Sequence, residues 1–165
     1  MLRTLDRIKA ADEAWLSNPE IFMVNKLDAH SDHMYYEDKD AMYGDEMPLR
    51  QSLNGTWKIN YAVNIEASDR EFYKEDRDAT LYDDIKVPGH MELQGFGRCQ
   101  YINTMYPWEG SEDLRPPHIP REDAPVGCYV RYFDINPELA GKRTFISFQG
   151  VENAFYLWIN GQFVG

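Results

Sequence analysis

Cysteine and histidine are scarce, two and four residues in 165, and their placement narrows the chemistry further. Cys99 and Cys128 form no metal-type spacing, so the expected state is two reduced, partly buried thiols. His30, His33, His90 and His118 are scattered. His30 and His33 alone lie close together, in a polar tract where surface solvation is the ordinary reading and a metal site the special one. Positive charge is also in deficit: 17 Lys and Arg face 28 Asp and Glu, a net charge of −11. That balance repels nucleic acid and anionic membrane surfaces and disfavours acidic substrates. Long apolar runs are missing too, and MLRTLDRIKAADEAWL breaks with charges the apolar centre that a signal peptide needs. A cytoplasmic protein without membrane or nucleic-acid partners is expected. There is no Gly-rich phosphate loop, nucleophile elbow or metalloprotease helix.

Apolar residues make up 43% of the chain and aromatics 14%, enough for one packed domain. Residues 4 to 16 place Leu5, Ile8, Asp12 and Trp15 near one face, which predicts a short helix. From Ser17 to Pro48 periodicity fails, and Asn18-Pro19, the acidic tract from Asp28 to Glu46 and Met47-Pro48 fit either an extended arm lying over something else or a floppy leader. The acidic charge itself reads as a solvated face.

Beyond Pro48 the pattern turns to strands. Trp57, Ile59, Tyr61 and Val63 alternate with polar or small residues after the turn Leu53-Asn54-Gly55. Ile85-Lys86-Val87, Cys128 to Ile135, Thr144 to Phe148 and Phe155 to Ile159 are further strand candidates. Asn160-Gly161 is the dipeptide of a two-residue hairpin. Short strands separated by turns, with a long irregular connection between residues 64 and 127, predict an all-β sandwich. The second arm of that hairpin is short, about four residues, which leaves most of the first arm's outer hydrogen-bonding groups without a partner.

Residues 88 to 127 hold most of the prolines yet also Phe96, Tyr101, Tyr106 and Trp108, which predicts an ordered loop system over one end of the sandwich. Sugar hydrolysis needs two carboxyl groups facing one another across the scissile bond. Glu92, Glu109 and Glu152 are nominal candidates among many acidic residues, each more simply a surface group. Trp108, Tyr101 and Tyr106 with Asn103 suit carbohydrate recognition, since a sugar's C–H face packs on a ring and its hydroxyls need directed partners. Aromatics in such a loop are more often structural. From its own residues the chain reads as a binding or supporting module.

Val87-Pro88, Gln94-Gly95-Phe96, Tyr101-Ile102-Asn103, Tyr106-Pro107, Pro116-Pro117, Pro120 and Gly127-Cys128-Tyr129 closely resemble the amino-terminal region of the large bacterial β-galactosidases of glycoside hydrolase family two. LRQSLNGTWKI and FQGVENAFYLWINGQFVG resemble further blocks of the same region, and Asn18-Pro19, Asn25-Lys26-Leu27 and Ala29-His30 resemble the arm before it.

The resemblance implies a truncated jelly-roll, galactose-binding-like domain over residues 48–165, preceded by a helix and arm over 1–47. It implies a parent enzyme that hydrolyses terminal β-galactosides by a retaining mechanism, with both catalytic glutamates and the magnesium ligands in a barrel outside this chain. No catalytic residue or cofactor is then expected here, and these residues alone are expected to be inactive. Asn103 matches the asparagine that reaches the galactose pocket, an amide able to donate to one hydroxyl and accept from another. His90 stands where relatives often carry asparagine, so no role carries over to it. The expected partners are a galactoside, the remaining domains and further copies in a homo-oligomer. The alternative is a stand-alone carbohydrate-binding module or a complementing subunit.

Overall fold

The computed structural model describes residues 7–30, 33–36, 38–44, 47, 49–99, 103, 108–109 and 112–165. The alternation around Trp57, Ile59 and Tyr61 is realised as strand β1 (Gly55–Ala62). Strands β2 (Asp83–Val87) and β3 (Val126–Val130) pair with it on either side, both antiparallel. Trp57 lies opposite Ile85, and Ile59 opposite Tyr129. A second ladder joins β4 (Trp158–Ile159) to β5 (Gln162–Phe163). Among the described residues strands and irregular connections dominate and helices are few and short, so the fold is all-β.

Both faces of β1 are covered. Successive strand residues point to opposite sides, yet Ile59 and Ala62 are both buried, with Ile85, Cys128, Ala79 and Tyr82. The connection of residues 64–82 folds over the side that carries Cys128. There Asp69 accepts from the Tyr82 hydroxyl and from Arg77 Nε at 2.6 Å, and Lys58 Nζ donates to the Tyr82 carbonyl at 3.1 Å. On the other side Phe96 approaches Tyr61, ring centroids 6.4 Å apart. Gly97 lies so close that a Cβ would stand 3.1 Å from the Tyr61 hydroxyl. Its φ of +83° independently favours glycine.

The hairpin is built as its dipeptide demands. Asn160 and Gly161 both have positive φ, 48° and 71°, the requirement of the two-residue turn that suits twisted strands. Leu157 N–H donates to the Gly165 carbonyl at 2.7 Å and Val164 N–H to the Leu157 carbonyl at 2.8 Å, which extends the pairing beyond β4 and β5.

The predicted helix over residues 4–16 is not formed as such. A five-residue 3-10 turn, Glu13–Ser17, stands in its place, capped by Asp12, whose carboxylate accepts from Ala14 N–H at 2.9 Å. Residues 4 to 6 lie outside the described residues. At Ile8 the Asn25 side chain takes both backbone groups, accepting from the N–H at 3.1 Å and donating to the carbonyl at 2.8 Å. A helix would need those same groups. Conversely, the arm contains a helical turn that was not predicted, α1 (Lys39–Tyr43), with Asp38 accepting from Asp40 and Ala41 N–H at 2.9 and 2.8 Å. Part of the acidic tract therefore supplies a cap and a first-turn charge, where anions are favoured.

The arm crosses the hairpin. Trp15 stacks on Tyr156 at 6.0 Å and 19° and contacts Phe163 at 6.0 Å. The Tyr156 hydroxyl donates to the Asp12 carbonyl at 3.0 Å.

Two strand expectations are shortened. The one over Cys128 to Ile135 ends at Val130. Where the ladder stops, Arg131 Nη1 donates to the Thr56 carbonyl, and Gln51 bridges the chain further on, donating to the Asp134 carbonyl at 2.7 Å and accepting from Asn136 N–H at 2.8 Å. Side chains replace backbone partners there. Thr144 to Phe148 forms no strand, and Phe145 and Phe148 are exposed; alternation makes a strand only beside another backbone. Phe155 to Ile159 contributes Trp158–Ile159 alone to a ladder of named strands.

Candidate functional site

Asn103 is exposed on a bend. Tyr101 and Tyr106, named with it in the sequence, lie outside the described residues. Trp108 is half-buried. What the structure defines is how the chain enters and leaves this stretch.

At the entry, Gln94 in the 3-10 turn Glu92–Gln94 faces the outer border of β2. Its carbonyl accepts from Lys86 N–H at 2.8 Å, and its amide donates to the Lys86 carbonyl at 3.0 Å and the His90 carbonyl at 3.4 Å. The side-chain amide acts as one peptide unit of a further strand. Arg98 then forms an ion pair with Asp123.

At the exit, Glu112 uses both carboxylate oxygens. One accepts from Arg121 N–H at 3.0 Å; the other accepts from Glu122 N–H at 3.0 Å and Asp123 N–H at 3.4 Å. The backbone bonds from Arg121 and Glu122 hold its carboxyl below the usual carboxylate range. Nothing in the sequence had singled out Glu112, since a lone carboxylate in a polar loop carries no spacing signal. Residues 121–123 are themselves anchored, with Asn64 Nδ2 donating to the Glu122 carbonyl at 3.4 Å and Val126 opposite Ala62 in the ladder.

The carboxylate candidates fall on separate connections. Glu92 opens its 3-10 turn, Glu109 is exposed beside Trp108, and Glu152 is exposed before β4. His90, His118, His30 and His33 are exposed, and His30 Nδ1 lies 2.9 Å from the Asp28 carbonyl. Among the described residues no three or more His, Cys, Asp and Glu side chains are grouped to hold a metal ion. Among them, too, no helix is long and apolar enough to cross a membrane.

A concavity of about 230 Å³ opens between the sheet and the hairpin, lined by Tyr73, Tyr129, Arg131, Tyr156, Trp158 and neighbours. Its aromatics engage one another. Tyr73 stacks on Trp158 at 4.7 Å and 10°, and Phe72 and Phe163 meet Trp158 edge-on at 5.5 and 5.8 Å. Rings already satisfied in this way are packing groups before they are a sugar platform.

The titratable network on the Cys128 side of the sheet is structural in the same sense. Burial would push the Asp69 carboxyl up, but bonds from Tyr82, Glu71 N–H and Arg77 outweigh it and hold it below its ordinary value. Burial pushes the Tyr82 phenol up, reinforced by the bond to Asp69. Burial also pushes the Cys128 thiol up to about 11, leaving it protonated near neutrality, whereas Cys99 is exposed. Both cysteines are free, but neither is partly buried as the sequence suggested: Cys99 lies at the surface and Cys128 in the core.

The domain is all-β, and its long proline-rich connection is tied to residues 121–123 through Arg98 and Glu112, with Asn103 exposed between them. The chain belongs to glycosyl hydrolases family 2, whose sugar binding domain matches residues 50–165. It is 57% identical over 152 residues to a β-galactosidase of Clostridium acetobutylicum, covering 92% of this chain and 17% of that protein. It is 54% identical over 153 residues to a β-galactosidase of Halalkalibacterium halodurans, covering 92% and 15%. It is 45% identical over 167 residues to a β-galactosidase large subunit of Leuconostoc lactis, covering 94% and 26%. The chain thus spans about a sixth of the length of the first two relatives. The family resemblance read from its motifs is confirmed.

Proposed function

We propose that this chain is the sugar-binding domain of a β-galactosidase that releases terminal non-reducing β-D-galactose. The observation that carries the reading is the 57% identity, across 92% of the chain, to a protein named for that activity. In this reading residues 48–165 belong to a jelly-roll, galactose-binding-like sandwich, and residues 1–47 form the arm that precedes it. Asn103 donates to one galactose hydroxyl and accepts from another, fixing the ring without adding charge. The carboxyl pair, about 5 Å apart in a retaining enzyme, lies in another domain, as do the magnesium ligands. The enzyme is a cytoplasmic homo-oligomer whose arm supports subunit contacts.

In the full-length protein, Asn103→Ala lowers kcat/KM for o-nitrophenyl β-D-galactoside by the loss of one or two hydrogen bonds. That is about 1 to 3 kcal/mol, or roughly 5- to 150-fold. An unchanged kcat/KM refutes the assignment of Asn103. Residues 1–165 alone give no turnover above background; turnover by them, with contaminating hydrolase excluded, refutes the division of labour. The coverage of 15 to 17% in the first two relatives leaves one competing reading, a stand-alone carbohydrate-binding module or complementing subunit. It is favoured if the full-length gene product binds galactosides without cleaving them.

A further inference from the structure

The geometry points to Glu112 and the Arg98–Asp123 ion pair as positioning residues for Asn103, pinning both ends of its segment to the same three residues, 121–123. The inference rests on the proposed contact between Asn103 and galactose and adds to it the device that holds the amide in place.

Arg98 and Glu112 bracket Asn103 in sequence, and both terminate on residues 121–123. Arg98 Nη2 binds the Asp123 carboxylate, while Glu112 takes the N–H groups of Arg121, Glu122 and Asp123. That three-residue platform is fastened to the sheet by the bond from Asn64 and by the start of β3 at Val126. The entry end is fastened a second time where Phe96 and Gly97 approach Tyr61 of β1.

Bonds in which one partner is charged are the stronger kind. Closing a loop at its base removes conformations that its tip would otherwise explore. A polar contact to a sugar hydroxyl needs placement to a fraction of an ångström, and a displacement of about 1 Å can cost about 100-fold in rate. Charge has a part as well. In a chain of net charge −11, Arg98 neutralises the Asp123 carboxylate and backbone N–H groups solvate that of Glu112, which settles both anions at the base of a segment meant to receive an uncharged ligand.

The test uses the full-length protein, o-nitrophenyl β-D-galactoside as probe, and hydrogen exchange as a readout independent of activity. Glu112→Ala is expected to lower kcat/KM by up to the factor seen for Asn103→Ala, mainly through KM. It also speeds exchange at the amides of residues 121–123. Adding Glu112→Ala to Asn103→Ala is expected to produce little further loss, because the amide it positions is gone. Glu112→Gln, which keeps one strong acceptor, recovers part of the loss, and Arg98→Lys recovers part of that of Arg98→Ala. Additive losses overturn the inference, since a general structural role acts whether or not Asn103 is present. Unchanged exchange at 121–123 overturns it as well. If Asn103→Ala is itself silent, the galactose contact fails and the positioning role falls with it, while exchange at 121–123 still reports whether the tether exists.

Discussion

Gly89 and Gln94 offer a perturbation whose outcome follows from four distances. A Cβ placed on Gly89 would stand 2.7 Å from Gln94 Nε2 and 3.0 Å from the Lys86 carbonyl. Gly89 lies outside the positive-φ region, so the backbone tolerates alanine and the difficulty is space alone. The first obstacle is the tip of a flexible side chain, which swings away and gives up its bonds to Lys86 at 2.8 and 3.0 Å. Each such bond contributes about 0.5 to 1.5 kcal/mol net, and water replaces part of it on an exposed border, so the loss is about 1 to 2 kcal/mol. Gln94→Ala loses the same bonds directly. Gly89→Ala made on top of Gln94→Ala meets only the tight approach to the Lys86 carbonyl, offset by about 0.4 to 1 kcal/mol from a stiffer unfolded chain. The double variant is therefore close to either single variant, an interaction energy of about 1 to 2 kcal/mol. Urea denaturation of the four proteins, with the slope m constant across the set, measures it. Effects that add to within about 0.5 kcal/mol refute the reasoning, as does unchanged exchange at the Lys86 amide in both single variants.

Ile59 has no exposure while Leu81 is 92% exposed. Ile59→Ala is thus expected to cost about 2 to 5 kcal/mol and Leu81→Ala under about 0.5 kcal/mol, compared in the same denaturation series. A thiol reagent at pH 8 should label Cys99 and spare Cys128 until denaturant is added, as mass mapping would show; early labelling of Cys128 contradicts its burial. The Asp69–Tyr82–Arg77 network gives a two-sided pH dependence. Asp69 titrates below its ordinary value, so its contribution is present above about pH 4 and is lost as pH falls through the depressed folded value. Tyr82 titrates above its ordinary value, so its contribution is complete below about pH 10 and fades at higher pH. Asp69→Asn should flatten the acid limb of thermal midpoint against pH; an unaltered limb counts against the network.

The parts of the fold legible in sequence are those decided by neighbours in the chain. Trp57, Ile59 and Tyr61 announce β1 because apolar residues at every second position are the mark of a strand, although the covering of its second face was not legible, and Asn160-Gly161 announces its turn because few residues accept positive φ at both positions. Illegible were the features decided by distant side chains. Nothing local says that Asn25 will take the backbone of Ile8 and exclude a helix, or that pairing will pass to Arg131 and Gln51 beyond Val130. Asn103 was nominated through its motif, whereas Glu112 was not, because its bonds exist only once Arg121 to Asp123 are folded back against it.

Gln94 bears on association as well as on folding. Since β1 lies between β2 and β3, the far side of β2 is a border where a foreign strand could dock. At Lys86 both hydrogen-bonding groups there are already taken by a side chain. An amide on a flexible tether satisfies one peptide unit and presents no second backbone behind it, so it closes the border without offering a template for growth. An incoming strand would first have to evict it.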